Sequence, residues 1–530
     1  MLFTSYEFLA FVALLLLGYY LIPRRGQWPL LLVASMVFYW LAGPKYLIFL
    51  LVTAASTWGV AFLMSRNLRA QGAMLESNGT AWSKDERKAF KAGEKKKRFR
   101  MLVLGLLLNF GILAVLKYTG FAVHNLNRVL HTFGAENTLK IPSLLLPMGI
   151  SFYTFQSMSY LIDVYREKTE AQRNPAKFLL FVSYFPQLVQ GPISRYSDLG
   201  PQLTAGHAFD ARVLRRGLER VLWGYFKKLV IADRALIVIQ SLLDEPQNYR
   251  GMYVLLMILL YTVQIYADFT GGIDITIGLS EALGIQLTEN FNRPFLSRST
   301  KEYWNRWHIT MGTWFTDYIF YPLSVCKPMQ KLSKLSRAKL GNAVGKRIPV
   351  YLATVATWFL TGLWHGAGWN FIVWGLLNCL VILVSQELGP LYERFHHRHP
   401  RLSDSTLWHG VQAGRTVLLM GLIRTLDCYR DVPLTFRLWG SMFTTFNYSD
   451  LWNGAVLELG LGRADWILLL VATAIMFAVS LWGVREPVRD KLDRHPAMEA
   501  AAVALVFLCI MVFGAYGVGF DASQFIYNQF

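Results

Sequence analysis

The chain has 530 residues, 54% of them hydrophobic and 15% aromatic, with a mean hydropathy of +0.33. This composition argues against a string of water-soluble domains and for one large polytopic helical bundle over residues 1–530, with its apolar surface turned to lipid. The formal charge of +19 is read as loop charge that sets topology and meets anionic membrane lipids, and no soluble basic domain is present that would make nucleic acid an expected partner.

A hydrocarbon core of roughly 30 Å takes about 20 helical residues to cross. Apolar runs that approach or reach this length recur near 5–22, 45–64, 101–118, 219–242, 252–267, 465–484 and 498–516. Shorter runs near 28–41, 141–162, 178–190, 349–363, 368–388 and 411–427 read as tilted spans, half-helices or re-entrant segments, the last tolerated only where protein covers the backbone. The expected fold is all-α, with about eleven transmembrane helices plus re-entrant segments around a central funnel. No basic stretch precedes the first run, and Arg24 and Arg25 follow it, so the N-terminus reads as an anchor that lies outside. The polar insert 65–100, with Lys95-Lys96-Lys97-Arg98, is expected as a basic cytoplasmic loop, and Lys327–Arg347 as a second. A third polar loop, Glu393–Asp404, carries His396, His397 and His399 without acidic partner spacing, and the four cysteines are scattered, so neither a metal site nor disulfides are expected. No internal repeat is evident, which weighs against transporter folds built from duplicated halves.

Three segments mix Gly, Pro and polar residues into apolar surroundings: Pro147-Met148-Gly149-Ile150-Ser151-Phe152, Phe185 to Pro192, and Asp268-Phe269-Thr270-Gly271-Gly272-Ile273-Asp274. Each is expected to interrupt a helix, and together they are candidates to line one internal cavity; a plain kink in a packed helix is the alternative. For Asp268 and Asp274, with no third carboxylate near, helix breaking and polar lining are preferred to a cation site. Two histidines stand among tryptophans: His308 in Trp304-Asn305-Arg306-Trp307-His308 and His365 in Thr361-Gly362-Leu363-Trp364-His365-Gly366. An ionisable side chain at membrane depth is costly and tends to face a protein interior or a wet cavity, where an imidazole can accept a proton near neutral pH. A hydrogen bond to a neighbouring helix is the simpler role for either one.

These motifs, with Glu289-Asn290-Phe291-Asn292-Arg293-Pro294-Phe295 and Gln190-Gly191-Pro192-Ile193-Ser194-Arg195-Tyr196, resemble the membrane-bound O-acyltransferase family. The likeness is narrower to its bacterial branch, which includes the alginate O-acetylation membrane subunit and the teichoic acid D-alanyl transferase. The resemblance implies that His365 is catalytic and that His308 matches the other family histidine; from their chemistry, Asn305 and Arg306 are expected to support His308 by hydrogen bonds, Trp364 to exclude water and Asp268 to line the cavity. It also implies a thioester donor on the cytoplasmic side, such as acetyl-CoA or an acyl carrier protein, no bound cofactor, and an acceptor outside. Gly272, where alginate-type enzymes commonly have tyrosine, and Gln190, where they have alanine, argue against taking alginate as the acceptor. The final Phe525-Ile526-Tyr527-Asn528-Gln529-Phe530 is similar to the C-terminal tyrosine motif of the small protein that accompanies the D-alanyl transferase. Residues 521–530 are therefore expected as an extracytoplasmic tail with Tyr527 as an acyl relay; an interfacial aromatic belt is the alternative. The reading is a bacterial cytoplasmic-membrane O-acyltransferase that moves a small acyl group, acetyl first, towards an envelope polysaccharide, with an external SGNH-type transferase as partner. D-alanyl transfer to teichoic acid and a proton-coupled glycan or lipid transporter are the alternatives.

Overall fold

The structure, a computed structural model, describes residues 3–78, 81–134, 139–142, 144 and 146–516. The expected tail 521–530, with Tyr527, lies outside the described residues. The chain divides into two compact units, Met1–Leu214 with Ser280–Leu287, and Arg215–Leu279 with Thr288–Phe530.

In the first unit, α1 (Tyr6–Leu21) and α2 (Arg24–Ala42) are followed by the long α3 (Leu47–Ser77) and α4 (Lys84–Thr132). The polar stretch expected as a loop is instead largely helical, because α3 and α4 extend through it and pack on each other. A capping box restarts the chain at α4: Ser83 Oγ accepts from Glu86 N at 3.3 Å and Ser83 N donates to Glu86 Oε2 at 2.8 Å. Arg98, from the basic cluster, is buried and donates to Asn67 Oδ1 at 3.0 Å and Gln71 Oε1 at 2.6 Å, so this charge ties α4 to α3. Helix α5 (Ile150–Tyr165) packs on both, and α6 (Pro175–Ser183), α7 (Phe185–Gln190) and α8 (Tyr196–Ala205) complete the unit.

The second unit holds most of α9 (Ala211–Tyr225), then a π-helical turn, Phe226–Ala232, α10 (Asp233–Asp244) and α11 (Met252–Ala282). Next come α12 (Thr300–Arg306), α13 (Ile309–Phe315), a second π-helical turn at Thr316–Phe320, α14 (Tyr321–Ser324) and α15 (Lys327–Gly345). The Lys327–Arg347 stretch is thus helical rather than a loop. Helices α16 (Arg347–His365) and α17 (Trp369–Glu387) follow, then α18 (Gly389–Arg398), which carries His396 and His397 exposed in its last turn, α19 (Pro400–Ser403), α20 (Thr406–Tyr429) and α21 (Val432–Ser441). The last elements are α22 (Arg463–Trp482), α23 (Val488–Leu492) and α24 (Pro496–Phe513).

Among the described residues, 6 helices are long and apolar enough to cross a membrane: Pro44–Ser77, α4, α11, α17, α22 and α24. The remaining apolar runs fold into shorter or more polar helices. The apolar window of α11 is 72% buried by protein, against 17% in α22 and 11% in α24. Helix α11 is therefore an internal strut, whereas α22 and α24 keep most of their surface for lipid.

Contrary to the sequence expectation, the Asp268–Asp274 segment does not break α11. Its glycine brings two helices together: a β-carbon at Gly224 would lie 2.6 Å from the Gly271 carbonyl oxygen, and one at Gly278 would lie 2.6 Å from that of Gly217. Helices α9 and α11 thus meet backbone to backbone, the small-residue packing that membrane helices use. This closeness lets charge pair across the contact. In a regular helix Lys227 and Lys228 would diverge by about 100°, but they lie in the π turn, and both side chains are buried. Lys227 Nζ reaches Asp274 Oδ2 at 2.6 Å and Thr270 Oγ1 at 2.8 Å; Lys228 Nζ reaches Asp268 Oδ1 at 2.6 Å and Asp233 Oδ1 at 2.7 Å.

A Gly278→Ala substitution is expected to lower stability by about 1–3 kcal/mol, since the added methyl meets backbone that cannot yield. Thermal unfolding in detergent checks this against Gly111→Ala in α4, where nothing lies within 4 Å and stability should hold or rise slightly.

Candidate active site

His308 is positioned by two motifs that pair with each other. Phe291 and Trp307 form an isolated antiparallel bridge, Asn292 N donates to Arg306 O at 2.9 Å, and Ile309 N donates to Asn290 O at 3.0 Å. The chain turns sharply where they meet, with His308 in the left-handed region at φ 48°, a conformation that persists only when its surroundings hold it. Asn290 is fully buried, and its Oδ1 accepts from Thr310 N at 3.0 Å and Thr310 Oγ1 at 2.9 Å. Those donors fix the amide orientation, so His308 Nδ1, 3.3 Å from the same oxygen, carries its proton and leaves Nε2 as the basic nitrogen. The ring packs edge-on against Phe269 of α11 at 4.9 Å. Burial, with the Arg424 guanidinium adding to it, pushes the His308 imidazole down to about 3, so it is neutral at physiological pH.

His365 is the last residue of α16 and is buried there. Its position follows from a tight crossing: a β-carbon at Gly362 would lie 2.4 Å from Phe371 O, and one at Gly375 would lie 2.4 Å from Trp358 O. With α16 and α17 in backbone contact, the His365 ring lies 4.6 Å from Trp374 and 4.9 Å from Trp364. Trp364 is also 5.9 Å from His308. The two imidazoles therefore share one indole neighbour. Gly366 gives way to the ring of Phe371, 2.1 Å from where its β-carbon would be, so its small size serves packing.

Around this pair stands an aromatic box. Trp304 packs on Trp358 at 5.0 Å and Trp374 at 5.6 Å, and its Nε1 donates to Asn378 Oδ1 at 3.2 Å. The guanidinium of Arg424, from α20, lies 5.2 Å from the ring centres of both Trp307 and Trp374 and pairs with Asp427 at 3.1 Å. Sequence reasoning passed over Arg424 and Asp427; the signal was an Arg and an Asp three residues apart inside an apolar run. Of the supporting residues expected from sequence, Trp364 joins the site. Asp268 is buried on Lys228, one residue from Phe269. Asn305 is exposed, and Arg306 pairs with Glu302 at 2.7 Å, so the partner of His308 comes from Asn290 instead. In the first unit, Gln190 is fully buried with neither amide atom hydrogen-bonded, and Gln187 Nε2 likewise has no partner.

Removing Arg424 alone would strand Asp427 in the interior. Arg424→Ala is expected to cost about 3–5 kcal/mol, and Arg424→Met with Asp427→Leu to recover most of it, as read from thermal unfolding in detergent.

Residues 170–422 match the membrane-bound O-acyltransferase family. The probable alginate O-acetylase AlgI of Azotobacter vinelandii is 36% identical over 94% of this chain and 88% of that protein. That of Pseudomonas putida is 32% identical over 100% of both. The peptidoglycan O-acetyltransferase of Helicobacter pylori is 29% identical over 74% of this chain and 72% of its own length. With its paired histidine motifs inside the matched segment and its apolar helices suited to a bilayer, the chain belongs to the membrane-bound O-acyltransferase family.

Proposed function

We propose that the protein transfers an acetyl group from a cytosolic thioester towards a hydroxyl of an extracytoplasmic cell-envelope polysaccharide, with His365 as general base. The observation that carries this reading is the arrangement of His365 and His308 around the Trp364 indole within a buried aromatic box. The long acetyltransferase relatives support acetyl as the group moved, and their two different acceptors support polysaccharide as the class rather than one polymer.

In this mechanism a hydroxyl or phenol oxygen attacks the thioester carbonyl carbon while its proton passes to the His365 ring. The C–O bond forms, the carbonyl becomes an oxyanion, and collapse of that intermediate breaks the C–S bond. The imidazolium returns the proton to the departing thiolate, so protons and charge balance. A positioned imidazole of this kind contributes roughly 10² to 10⁴ in rate. Neutral His308, held by Asn290, offers Nε2 as an acceptor and serves to orient the O–H of the acceptor. The tryptophans keep water from the thioester, which protects it from hydrolysis and strengthens the electrostatic interactions inside. Tyr527 acts as the relay that takes the acyl group from the donor and passes it to an external SGNH-type transferase. A phenyl ester suits a relay because phenolate is a better leaving group than an alkoxide.

His365→Ala is expected to lower acyl transfer by about 10² to 10⁴ with the protein still folded; near wild-type turnover in the purified variant would remove His365 from catalysis. Asn290→Ala should lower kcat with little change in KM for the donor, because it frees the His308 ring without touching a substrate contact. For the tail, Tyr527→Phe keeps the ring but deletes the hydroxyl. It should stop delivery to the polysaccharide as fully as His365→Ala, and mass spectrometry of the wild-type C-terminal peptide should find tyrosine carrying an acetyl. A D-alanyl mass there would assign the other acyl group, and normal product formation by the phenylalanine variant would leave the tail as an anchor.

A further inference from the structure

A cavity of about 820 Å³ opens in the second unit with neither histidine among its lining residues. Its walls differ sharply in chemistry. Helix α22 presents Met476, Val479 and Ser480, followed by its C-cap Gly483, and α24 presents Glu499, Ala502, Val503 and Val506 at the i, i+3, i+4, i+7 spacing of one helix face. These are the two helices that keep most of their surface for lipid. A further part of the wall carries charge, with Glu219 and Arg220 from α9, Lys227 from the π turn and Asp274 from α11 beside the apolar Trp223 and Ile273.

The cations on that wall are already engaged. Arg220 pairs with Asp274 at 2.9 Å and Glu289 at 2.6 Å, Lys227 holds Asp274, and Arg293 donates to the carbonyl oxygens of Ser480 and Gly483 at the end of α22. The acceptors are not used up. Glu499 is only 4% exposed, yet its Oε1 receives no hydrogen bond, and neither does Oε1 of Glu219. Arg215 lies 3.1 Å from Glu499 Oε2 and 3.6 Å, beyond hydrogen-bond reach, from the unbonded Glu219 Oε1. Burial, then a carboxyl–carboxyl contact with Glu499 and its charge, push the Glu219 carboxyl up to about 7, as two acceptors that face each other do. A buried carboxylate oxygen without a donor is costly, and an apolar groove continuous with lipid-facing helices narrows what supplies the donor.

We propose that this cavity binds a phospholipid whose headgroup carries a primary ammonium, the ammonium bridging Glu219 and Glu499 and the acyl chains lying on the apolar faces of α22 and α24. An ammonium has three donors, which suits two facing carboxyl groups with an oxygen that receives no hydrogen bond. Arg489, also lining the cavity, is placed to meet the phosphate.

The test uses the full-length protein in nanodiscs of equal phosphatidylethanolamine and phosphatidylglycerol, with retained lipid read by native mass spectrometry. Both lipids carry a phosphate, and only the first an ammonium. Wild type should retain phosphatidylethanolamine over phosphatidylglycerol by roughly ten-fold, the effect of one charge-assisted hydrogen bond. Glu219→Gln with Glu499→Gln should abolish the preference, and Val503→Trp, which fills the groove from α24, should lose both lipids. Absence of preference in wild type, as expected if the two carboxyls merely share a proton, overturns the proposal without any variant needing to fold. Its survival in the double glutamine variant, or displacement of the lipid by glycerophosphoethanolamine at equal concentration, overturns it as well.

Discussion

The second unit depends on charge held where water is scarce. Lys227 and Lys228 leave the π-helical turn after α9 and end on Asp274 and Asp268 of α11, and neither lysine nor either aspartate could stay charged in that interior alone. The pairs form because glycines at 217, 224, 271 and 278 let the two helices touch. Position and charge are thereby coupled: a bulkier residue at the crossing would separate the helices and lengthen the ion pairs at once. The consequence reaches the site, since Phe269, next to Asp268, is the ring against which His308 packs.

The site repeats this logic with aromatic surfaces. Glycines 362 and 375 bring α16 against α17, so His365 reaches Trp374 and Trp364, and Trp364 in turn reaches His308. Arg424 contributes its charge over two indoles and is balanced by Asp427. The imidazoles are thus held by rigid elements and by each other's neighbours, the kind of support that a group needing sub-ångström placement requires.

Local pattern determined a good deal of this. Hydropathy alone called for helices suited to a bilayer, because a hydrophobic run of the required length has few other stable states. The tryptophan-flanked histidines were legible as a candidate site for the same reason: ionisable groups are rare in such surroundings unless they have a role. The family likeness rests on contiguous motifs and was equally visible. What a linear reading misjudged were features whose meaning depends on a partner far along the chain. Gly271 and Gly272 read as helix breakers, yet α11 runs through them, because glycine weakens a helix only modestly and the gain from close packing against α9 exceeds that cost. The 65–100 insert read as a loop, yet polar side chains are compatible with helices that project beyond the apolar section and pair, as Arg98 does with Asn67 and Gln71.

Tertiary structure alone decided which polar groups meet. Asn305 and Arg306 were expected beside His308 from adjacency in sequence, but the short helix α12 turns Asn305 outward and hands Arg306 to Glu302. Asn290 reaches the ring instead because the chain pairs two motifs antiparallel and reverses at a left-handed residue. The sharing of Trp364 by both imidazoles, the box around Arg424 and the surplus acceptors of Glu219 and Glu499 belong to the same class. Hydrophobicity and short motifs are properties of neighbouring residues and survive in one dimension, whereas a hydrogen bond or ion pair is set by distance and angle, which exist only once helices far apart in the chain have packed.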